Sequence, residues 1–236
     1  MKKPYIICHM VTSLDNKVTG EFLTKKECES PTEVYYQLNR DYRADGFICG
    51  RVTMIGSFTG DFYPDLTLYE ESPVEDHIVD PNGYLAVCYD RQGRVGWRSG
   101  TIKDEDPGYD GSHVVEVLCE NVDRRYLTYL KSIGVSYIFA GKSKMDICLS
   151  LKKLNKYFNS HCLLLEGGSI INGAFLEADV IDELSLVIAP INAQEIDKPL
   201  FFGGDTSGFV PYAENEINSV KVIKYKRKNP LNEYLE

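Results

Sequence analysis

Residues 162–177 read CLLLEGGSIINGAFLE, and this stretch carries the clearest fold signal in the chain. Leu163–Leu165 form the apolar run of a buried strand, and the apolar residues between Ile170 and Phe175 recur at helical spacing. A carboxylate, two glycines and a serine separate the two patterns. The stretch therefore predicts a strand, a tight turn and the start of a helix.

The chemistry of this turn leaves two interpretations open. A pair of glycines lets a ligand or another backbone come close, and the exposed N–H groups of a helix start favour an anion. Many α/β proteins use such glycines only to turn a strand into a helix, so the pattern alone is weak. It is compatible with an anion-binding turn and with a purely structural one.

The composition narrows the class of protein. A chain of 236 residues with 43% hydrophobic and 26% charged residues is typical of one soluble globular domain, here residues 1–236. The net charge of −9 argues against a nucleic-acid or anionic-membrane partner. The first residues, MKKPYIICHMV, favour a first strand over a signal peptide, and no apolar run has membrane-spanning length. We therefore expect a cytoplasmic protein.

Cysteine and histidine usage indicates neither a disulfide framework nor a metal site. The seven cysteines include no CxxC pair and lie mostly within apolar runs, which is typical of reduced, buried thiols. The four histidines are dispersed without metal-ligand spacing. The sequence therefore predicts no bound metal.

Strand and helix patterns alternate along most of the chain, which predicts an α/β fold with a largely parallel sheet. The predicted strands are Tyr5–Val11, Gly46–Cys49, Tyr84–Tyr89, Val114–Cys119, Val135–Phe139, Cys162–Leu165 and Glu183–Ala189. The predicted helices are Pro31–Arg43, Arg124–Ile133, Asp146–Tyr157 and Ser169–Ala178. Alternating apolar residues and lysines in Asn218–Lys228 predict an antiparallel edge strand. Residues 58–83 are irregular, as in a surface excursion or part of a site.

Three further strand ends carry small or polar residues. They read TSLDNK at 12–17, RADGFICGRVT at 43–53 and YDRQGR at 89–94. Each is compatible with an ordinary turn or helix cap when taken alone. Because the carboxyl ends of parallel strands lie along one edge of a sheet, the four loops together predict a shared ligand crevice.

The order of these segments resembles the pyrimidine reductase domain of riboflavin biosynthesis, a relative of dihydrofolate reductase. The resemblance covers residues 4–225 and rests on TSLDNKVTG, RADGFICGRVT, YDRQGRV, LLLEGGSIINGAFLEADVIDELSLVIAP and PLF in that order. The zinc-deaminase signature that accompanies this domain in many bacterial enzymes is absent from the sequence.

The resemblance implies a fold, an activity and an assembly. The fold is dihydrofolate reductase-like, with a mostly parallel central sheet flanked by helices and an antiparallel C-terminal edge strand. The activity is NADPH-dependent reduction of a ribosylaminopyrimidine 5′-phosphate, a small-molecule substrate, to its ribitylamino product. The assembly is a homodimer.

The resemblance also implies roles for individual residues. The expected cofactor-binding residues are Val11, Thr12, Thr53, Ser57, Asp90, Arg91, Gly167, Gly168, Ser169, Ile170, Ile171 and Asn172. The expected substrate-binding residues are Ser13, Asp15, Arg43, Leu66 and Glu166. Asp15 and Glu166 are the expected catalytic side chains, as proton source or relay.

Departures from the family pattern keep other functions open. Tyr69 stands where the family has an arginine that holds the substrate phosphate, and Glu70 and Glu71 follow it, which disfavours an anion. Asn16 stands where the family usually has a glycine, and residues 190–195 lack the glycine that commonly follows the proline of this loop in the family. Three alternatives therefore remain. They are a reductase for a non-phosphorylated substrate, a non-catalytic nucleotide-binding module, and a domain whose glycine turns are only structural.

Overall fold

The computed structural model describes residues 2–79, 83–194 and 196–229. The chain divides into two compact units. The terminal unit comprises Tyr5–Ala44 and Cys162–Glu236, and the central unit comprises Met1–Pro4 and Asp45–His161. No helix in the described ranges has the length and apolar character needed to cross a membrane.

Strands and helices alternate along both units. The strands are β1 (Tyr5–Thr12), β2 (Lys17–Thr19), β3 (Gly46–Gly50), β4 (Leu85–Tyr89), β5 (His113–Leu118), β6 (Ser136–Phe139), β7 (Cys162–Leu165), β8 (Glu183–Ile188), β9 (Lys198–Pro199), β10 (Phe209–Ile217) and β11 (Val220–Arg227). The α-helices are α1 (Glu29–Tyr42), α2 (Arg51–Met54), α3 (Arg124–Ser132), α4 (Ile147–Phe158) and α5 (Ser169–Glu177). Shorter helical turns are Glu21–Thr24, Lys26–Cys28, Ile55–Thr59 and Leu66–Leu68.

The terminal unit is built on strands in the order β10-β11-β8-β1-β7. β1 pairs in parallel with β7 and β8, whereas β11 pairs antiparallel with β8 and β10. Helix α1 packs on this sheet and buries Val34 and Leu38 in a cluster with Val187 and Val222. Because β1 is buried along nearly its whole length, its end at Thr12 is held firmly in the sheet.

The central unit is a parallel sheet in the order β3-β4-β5-β6. All five residues of β4 are buried, as expected of a parallel strand covered on both faces. Part of the irregular segment 58–83 covers the outer edge of β6, where His77 forms an antiparallel bridge with Tyr137. An ion pair of 2.8 Å between Lys153 Nζ and Asp76 Oδ2 attaches this segment to α4.

The predicted fold class, a mostly parallel sheet flanked by helices with an antiparallel C-terminal end, is confirmed. The predicted edge strand Asn218–Lys228 corresponds to β11, which lies inside the sheet, because β10 pairs along its outer side. Strand β10 was missed since most of its residues are exposed and polar and Pro211 interrupts it. The prediction of a single domain over residues 1–236 stays a prediction.

Candidate functional site

The turn after β7 has the geometry that its glycines suggest. Gly167 has a φ of +91°, a conformation that L side chains rarely adopt. A Cβ at Gly167 would lie 3.0 Å from the Met10 Cε atom, so the backbone passes close to β1. The Gly167–Gly168 peptide bond is cis. A glycine at position 167 is therefore explained by its backbone conformation and by its close approach to β1.

Helix α5 starts without a side-chain cap. Its N-cap residue is Gly168, and no side chain accepts a hydrogen bond from the first turn. The first N–H groups of a helix have no partner within the helix, so this nine-residue helix presents donors and positive partial charge at its start. The turn can therefore bind an anion without a lysine.

The segment after β9 lies along the start of α5. Phe202 N donates a 3.0 Å hydrogen bond to Ser169 O, and Asn172 Nδ2 donates one of 3.1 Å to Leu200 O. A Cβ at Gly173 would lie 2.2 Å from Phe202 O, so only glycine permits this approach. Asn172 and Gly173 therefore hold the segment in place.

Four buried side-chain oxygens in the terminal unit have no hydrogen-bond partner among the residues that the structure describes, and three of them belong to predicted cofactor-binding residues. These three are Thr12 Oγ1, Ser169 Oγ and Asn172 Oδ1. Thr12 and Asn172 are fully buried, and an unsatisfied buried polar group costs free energy. Their need for partners, together with the uncapped start of α5, fits a ligand rich in phosphate and hydroxyl groups such as NADPH.

Glu166 follows β7 and is buried. Its Oε1 atom accepts a 2.6 Å hydrogen bond from Nδ2 of Asn39, which is also buried on α1. A buried carboxylate needs such donors because its desolvation is costly. Asn39, which sequence analysis missed, therefore fixes the orientation of Glu166.

Ser13 and Asp15 form a tight turn after β1. Ser13 Oγ donates to Asp15 Oδ1 at 2.7 Å, and Ala193 N donates to the same oxygen at 2.9 Å. The hydrogen bond from the Ala193 backbone and then that from Ser13 lower the pKa of Asp15. The exposed carboxylate is therefore ionised at neutral pH and cannot itself donate a proton, so of its two predicted roles, proton source and relay, only relay fits.

The remaining predicted residues of the terminal unit differ in exposure. Val11 is buried in the core cluster of α1 and β8, whereas Ile170 is 73% exposed and Ile171 is half-buried. Arg43 is exposed in a left-handed conformation that ends α1. Val11 thus serves packing, and Ile170, Ile171 and Arg43 have surface that a ligand can reach.

In the central unit, Thr53 and Ser57 lie on consecutive helical turns after β3. Thr53 is half-buried in α2, and Ser57 is exposed in the turn Ile55–Thr59. Gly50 is the N-cap of α2, so Thr53 does not cap the helix. The structure leaves the predicted cofactor role of both hydroxyls open.

Asp90 is buried and organises its own turn. Its carboxylate accepts hydrogen bonds from Val95 N at 2.9 Å, from Gln92 N at 3.3 Å and from Arg94 N. Both oxygens of the carboxylate therefore accept hydrogen bonds from the backbone of the same turn. Arg91 is exposed, and its carbonyl accepts a 3.2 Å hydrogen bond from Cys119 N. Asp90 therefore shapes the loop, and the exposed Arg91 is the one of the two side chains that a ligand can reach.

Leu66 and Tyr69 lie in a segment that packs on α3. Leu66 starts a short helical turn and is half-buried. The Tyr69 ring packs edge-on against Tyr129 with centroids 5.6 Å apart, and Glu71 forms a 3.5 Å ion pair with Arg124. Tyr69 therefore contributes an aromatic contact to the packing on α3, and Arg124 offsets the charge of Glu71.

Two further features were missed by sequence analysis. The first is a pocket of about 450 Å³ in the central unit. Its lining residues are Ile55, Gly60, Asp61, Phe62, Tyr63 and Arg94. The only sequence signals were the length of the irregular segment 58–83 and the polar turn that contains Arg94.

The second missed feature is Glu116, a fully buried carboxyl on β5. Trp97 Nε1 donates to its Oε1, and Tyr126 OH, which donates to Val95 O at 2.7 Å, lies 3.4 Å from the same atom. Burial first, and then the charge of Asp90, raise the pKa of Glu116 well above its ordinary value. Burial in the core thus favours the protonated form of Glu116.

Structural comparison finds the same fold in reductases and their relatives. A pyrimidine reductase-like protein from Corynebacterium diphtheriae has 16% sequence identity and a TM-score of 0.68, and the alignment covers 96% of this chain and 92% of that one. Riboflavin biosynthesis reductase Rib7 from Saccharomyces cerevisiae has 14% identity and a TM-score of 0.62, with 95% and 90% covered.

A third structure is a bifunctional protein from Thermotoga maritima, a diaminohydroxyphosphoribosylaminopyrimidine deaminase/5-amino-6-(5-phosphoribosylamino)uracil reductase. It has 15% identity and a TM-score of 0.55, and the alignment covers 95% of this chain and 57% of that one. The chain therefore spans just over half the length of this longer protein. At these identities the likeness establishes the fold alone.

Sequence comparison assigns the family. No curated protein sequence matches the chain. The family model described as the RibD C-terminal domain matches residues 4–207, which is most of the chain. The family predicted from the order of the four strand-end loops is thus confirmed, and the chain belongs to the RibD C-terminal domain family.

Proposed function

We propose that the chain is an NADPH-dependent reductase that converts a ribosylaminopyrimidine to its ribitylamino product. The observation that carries this proposal is the uncapped start of α5 together with the buried oxygens of Thr12 and of two α5 residues, Ser169 and Asn172, which have no partner among the described residues. In a chain of the RibD C-terminal domain family, these groups suit a reduced dinucleotide. The T. maritima relative is named for a reductase of this substrate class.

The residues of the α5 turn would bind the cofactor through hydrogen bonds. Bound NADPH supplies the hydride. The first N–H groups of α5 and the Ser169 hydroxyl are donors for phosphate oxygens, and Asn172 Oδ1 is an acceptor for a ribose hydroxyl or an amide. These neutral donors explain how a chain with a net charge of −9 can hold a pyrophosphate.

Glu166 and Asp15 would act on the substrate in different ways. Asn39 holds the Glu166 carboxylate in one orientation, from which it can accept hydrogen bonds from the donor edge of a pyrimidine or from ribose hydroxyls. Asp15 is ionised, so a role in proton transfer is limited to accepting or relaying a proton that water supplies. Neither residue supplies the hydride, because the hydride comes from the cofactor. Glu166 would orient the substrate, and Asp15 would take part in proton transfer.

Cofactor binding and turnover test the proposal separately. We expect NADPH, more than NADH, to raise the melting temperature of the full chain and to quench Trp97, its single tryptophan. We expect NADPH oxidation with 5-amino-6-ribosylaminouracil or with its 5′-phosphate. Binding without turnover of either compound would instead indicate a nucleotide-binding module, and absence of binding would refute the cofactor assignment.

A glycine variant tests the position of the cofactor. Gly168→Val is expected to weaken NADPH binding at least about tenfold, because a side chain at the N-cap blocks approach to the backbone donors. Gly168 has a φ of −81°, so its backbone accepts a side chain. Gly208→Val is the matched control, since a Cβ there meets nothing within 4 Å. Unchanged affinity in a folded Gly168→Val variant would contradict the placement.

The resemblance also implies a homodimer, which we propose as the state in solution. Light scattering coupled to size-exclusion chromatography measures the mass directly. A mass equal to one chain of 26.7 kDa at all accessible concentrations would contradict the dimer.

A further inference from the structure

Two stretches of the terminal unit are joined beside the end of β1. The Asp15 loop comprises residues 13–20, and the β9 segment comprises residues 196–202. Strand β2 of the loop pairs antiparallel with β9. The contact continues at Gly20, where a Cβ would lie 2.1 Å from Asp197 Cγ. The position of the Asp15 loop therefore depends on the β9 segment.

The backbone of Leu200 connects the Asp15 loop to helix α5. Its N–H group donates a 3.0 Å hydrogen bond to Asn16 O, next to Asp15. Its carbonyl accepts a hydrogen bond of 3.1 Å from Asn172 Nδ2. Leu200 and Asn172 are both buried, so neither bond is easily replaced by a bond to water. One residue thus links the start of α5 to the residue beside Asp15.

The amide of Asn172 is only half satisfied. Its Nδ2 atom bonds Leu200 O, whereas its Oδ1 atom is buried without a partner among the described residues. A ligand that donates to Oδ1 would fix the plane of the amide and polarise its N–H group, which strengthens the hydrogen bond to Leu200. A ligand at the start of α5 would therefore hold the β9 segment more firmly.

Backbone contacts also attach the β9 segment to α5. Phe202 N donates to Ser169 O at 3.0 Å, and Phe202 O lies 2.2 Å from where a Cβ of Gly173 would be. These contacts join backbone to backbone and keep the segment against the helix. Asn172 differs from them, because its side chain faces the segment with one atom and offers the other to a ligand.

We infer that Asn172 is a positioning residue that holds the Asp15 loop through Leu200, and that it does so more firmly when the cofactor is bound at the start of α5. The inference rests on the proposed function for the identity of the cofactor and for the role of Asp15. It deepens that function by coupling the two sites. Because such coupling is reciprocal, a substrate held at Asp15 tightens cofactor binding by the same factor.

Amide hydrogen exchange of the full chain, followed by NMR, tests the coupling with NADP⁺ as the probe. The reporters are three N–H groups that fix the Asp15 loop, those of Leu14, Ala193 and Leu200, which donate to Ile191 O, Asp15 Oδ1 and Asn16 O. In the wild type, saturating NADP⁺ is expected to slow their exchange about tenfold. Unchanged exchange in a protein that binds NADP⁺ would overturn the inference.

Two variants remove the hydrogen bond from Asn172 to Leu200. Asn172→Ala removes the whole amide, and Asn172→Asp keeps an acceptor oxygen but has no N–H group to donate. Both are expected to speed exchange of the three reporters about tenfold without ligand and to abolish the slowing by saturating NADP⁺. A merely structural role would leave that slowing intact, and this result would also overturn the inference.

Asn155→Ala is the matched control. Asn155 on α4 makes the same kind of bond, from Nδ2 to Ser160 O at 2.8 Å, in the central unit. Its removal is expected to leave both the exchange of the three reporters and their response to NADP⁺ unchanged.

The outcomes separate this inference from the proposed function. If NADPH is oxidised with a ribosylaminopyrimidine but NADP⁺ leaves the three reporters unchanged, the reductase proposal stands and the coupling is refuted. If neither NADP⁺ nor NADPH binds, the cofactor assignment fails. The ligand-free exchange of the Asn172 variants then decides the positioning role, which faster exchange supports and unchanged exchange refutes. If neither variant folds, the response of the wild type to NADP⁺ decides the coupling.

Discussion

Asn39 on α1 and Glu166 after β7 are joined by a hydrogen bond of 2.6 Å between Nδ2 and Oε1. They are 127 residues apart in the chain, and both side chains are buried. A buried carboxylate that loses a donor keeps its desolvation cost without compensation. This bond therefore links the stability of the terminal unit to the orientation of the proposed substrate-binding carboxylate.

Removal of the Asn39 amide is expected to destabilise the protein. Asn39→Ala is expected to lower the free energy of unfolding by about 1–3 kcal/mol, measured by urea denaturation. Gln37→Ala is the matched control, because Gln37 is exposed on the same helix. In a double-mutant cycle with Glu166→Ala, the two losses are expected to be non-additive, and strict additivity would show that the bond contributes nothing.

The charge of Glu166 is separable from its hydrogen bond. Glu166→Gln keeps an oxygen that can accept from Asn39, so we expect a change in unfolding free energy below about 1 kcal/mol. If the carboxylate binds the substrate, kcat/KM is expected to fall about a hundredfold or more, the usual effect of losing a charged hydrogen-bond partner in a closed site. A folded variant with wild-type kcat/KM would show that the charge is not needed.

Replacing Gly167 by alanine is expected to destabilise the protein, whatever its function. Gly167→Ala forces a Cβ into a φ of +91° and to within 3.0 Å of Met10 Cε. We expect a loss of about 1–3 kcal/mol, mostly from the backbone conformation, since the end of the Met10 side chain can shift. Gly56→Ala is the control, because its added Cβ meets nothing within 4 Å. Thermal unfolding distinguishes the two variants.

The fold was predictable from the sequence wherever apolar residues set a clear period. The boundaries of β7, Cys162–Leu165, agree with the prediction, and α1 begins only two residues before the predicted Pro31. Pro31 lies in the first turn of α1, where its missing N–H costs no hydrogen bond. Strand β10 was not predictable, because its outward residues are polar and its position depends on pairing with β11.

The candidate site was only partly predictable. The turn from Glu166 to Asn172 was identified, since glycines between a strand and a helix are a local signal. Asn39 and Arg94 were not assigned a role, because their contributions depend on contacts with residues far along the chain or in an irregular segment. Such tertiary contacts leave no periodic pattern in the sequence.

The raised pKa of the buried Glu116 leads us to expect that the protein loses stability as the pH rises. Its pKa is raised in the folded protein by burial and by Asp90, so above the ordinary pKa the unfolded chain loses a proton that the folded chain keeps. Stability is therefore lost as the pH rises. Glu116→Gln removes this penalty and keeps an oxygen for Trp97 Nε1. The melting temperature of the variant is expected to rise relative to wild type as the pH increases above the ordinary pKa of a glutamate, and a difference that does not change with pH would contradict a raised pKa of Glu116.

The buried His9 leads us to expect that the protein also loses stability as the pH falls. Its ring is fully buried in β1, stacked on Tyr35 with centroids 4.5 Å apart, and hydrogen-bonded to Ser185 Oγ at 3.0 Å and to Tyr35 O at 3.1 Å. The pKa of His9 is lowered from 6.5 to about 4, chiefly by burial; the charge of Lys224 acts in the same direction, and the hydrogen bonds to the Tyr35 and Ser185 backbone act against it. The folded protein therefore holds a neutral imidazole.

The sign of the effect follows from proton linkage. Between pH 6.5 and about pH 4 the unfolded chain binds a proton at His9 that the folded chain does not bind, so stability falls as the pH falls through this range. The full loss is about 3 kcal/mol, on the order of 1.4 kcal/mol for each unit of pKa shift. His9→Gln is expected to be less stable at pH 7 but to lose less stability on acidification. Urea denaturation from pH 7 to pH 4, with the exposed His161→Gln as control, measures the difference in slope, and equal slopes for wild type and His9→Gln would show that His9 does not titrate on unfolding.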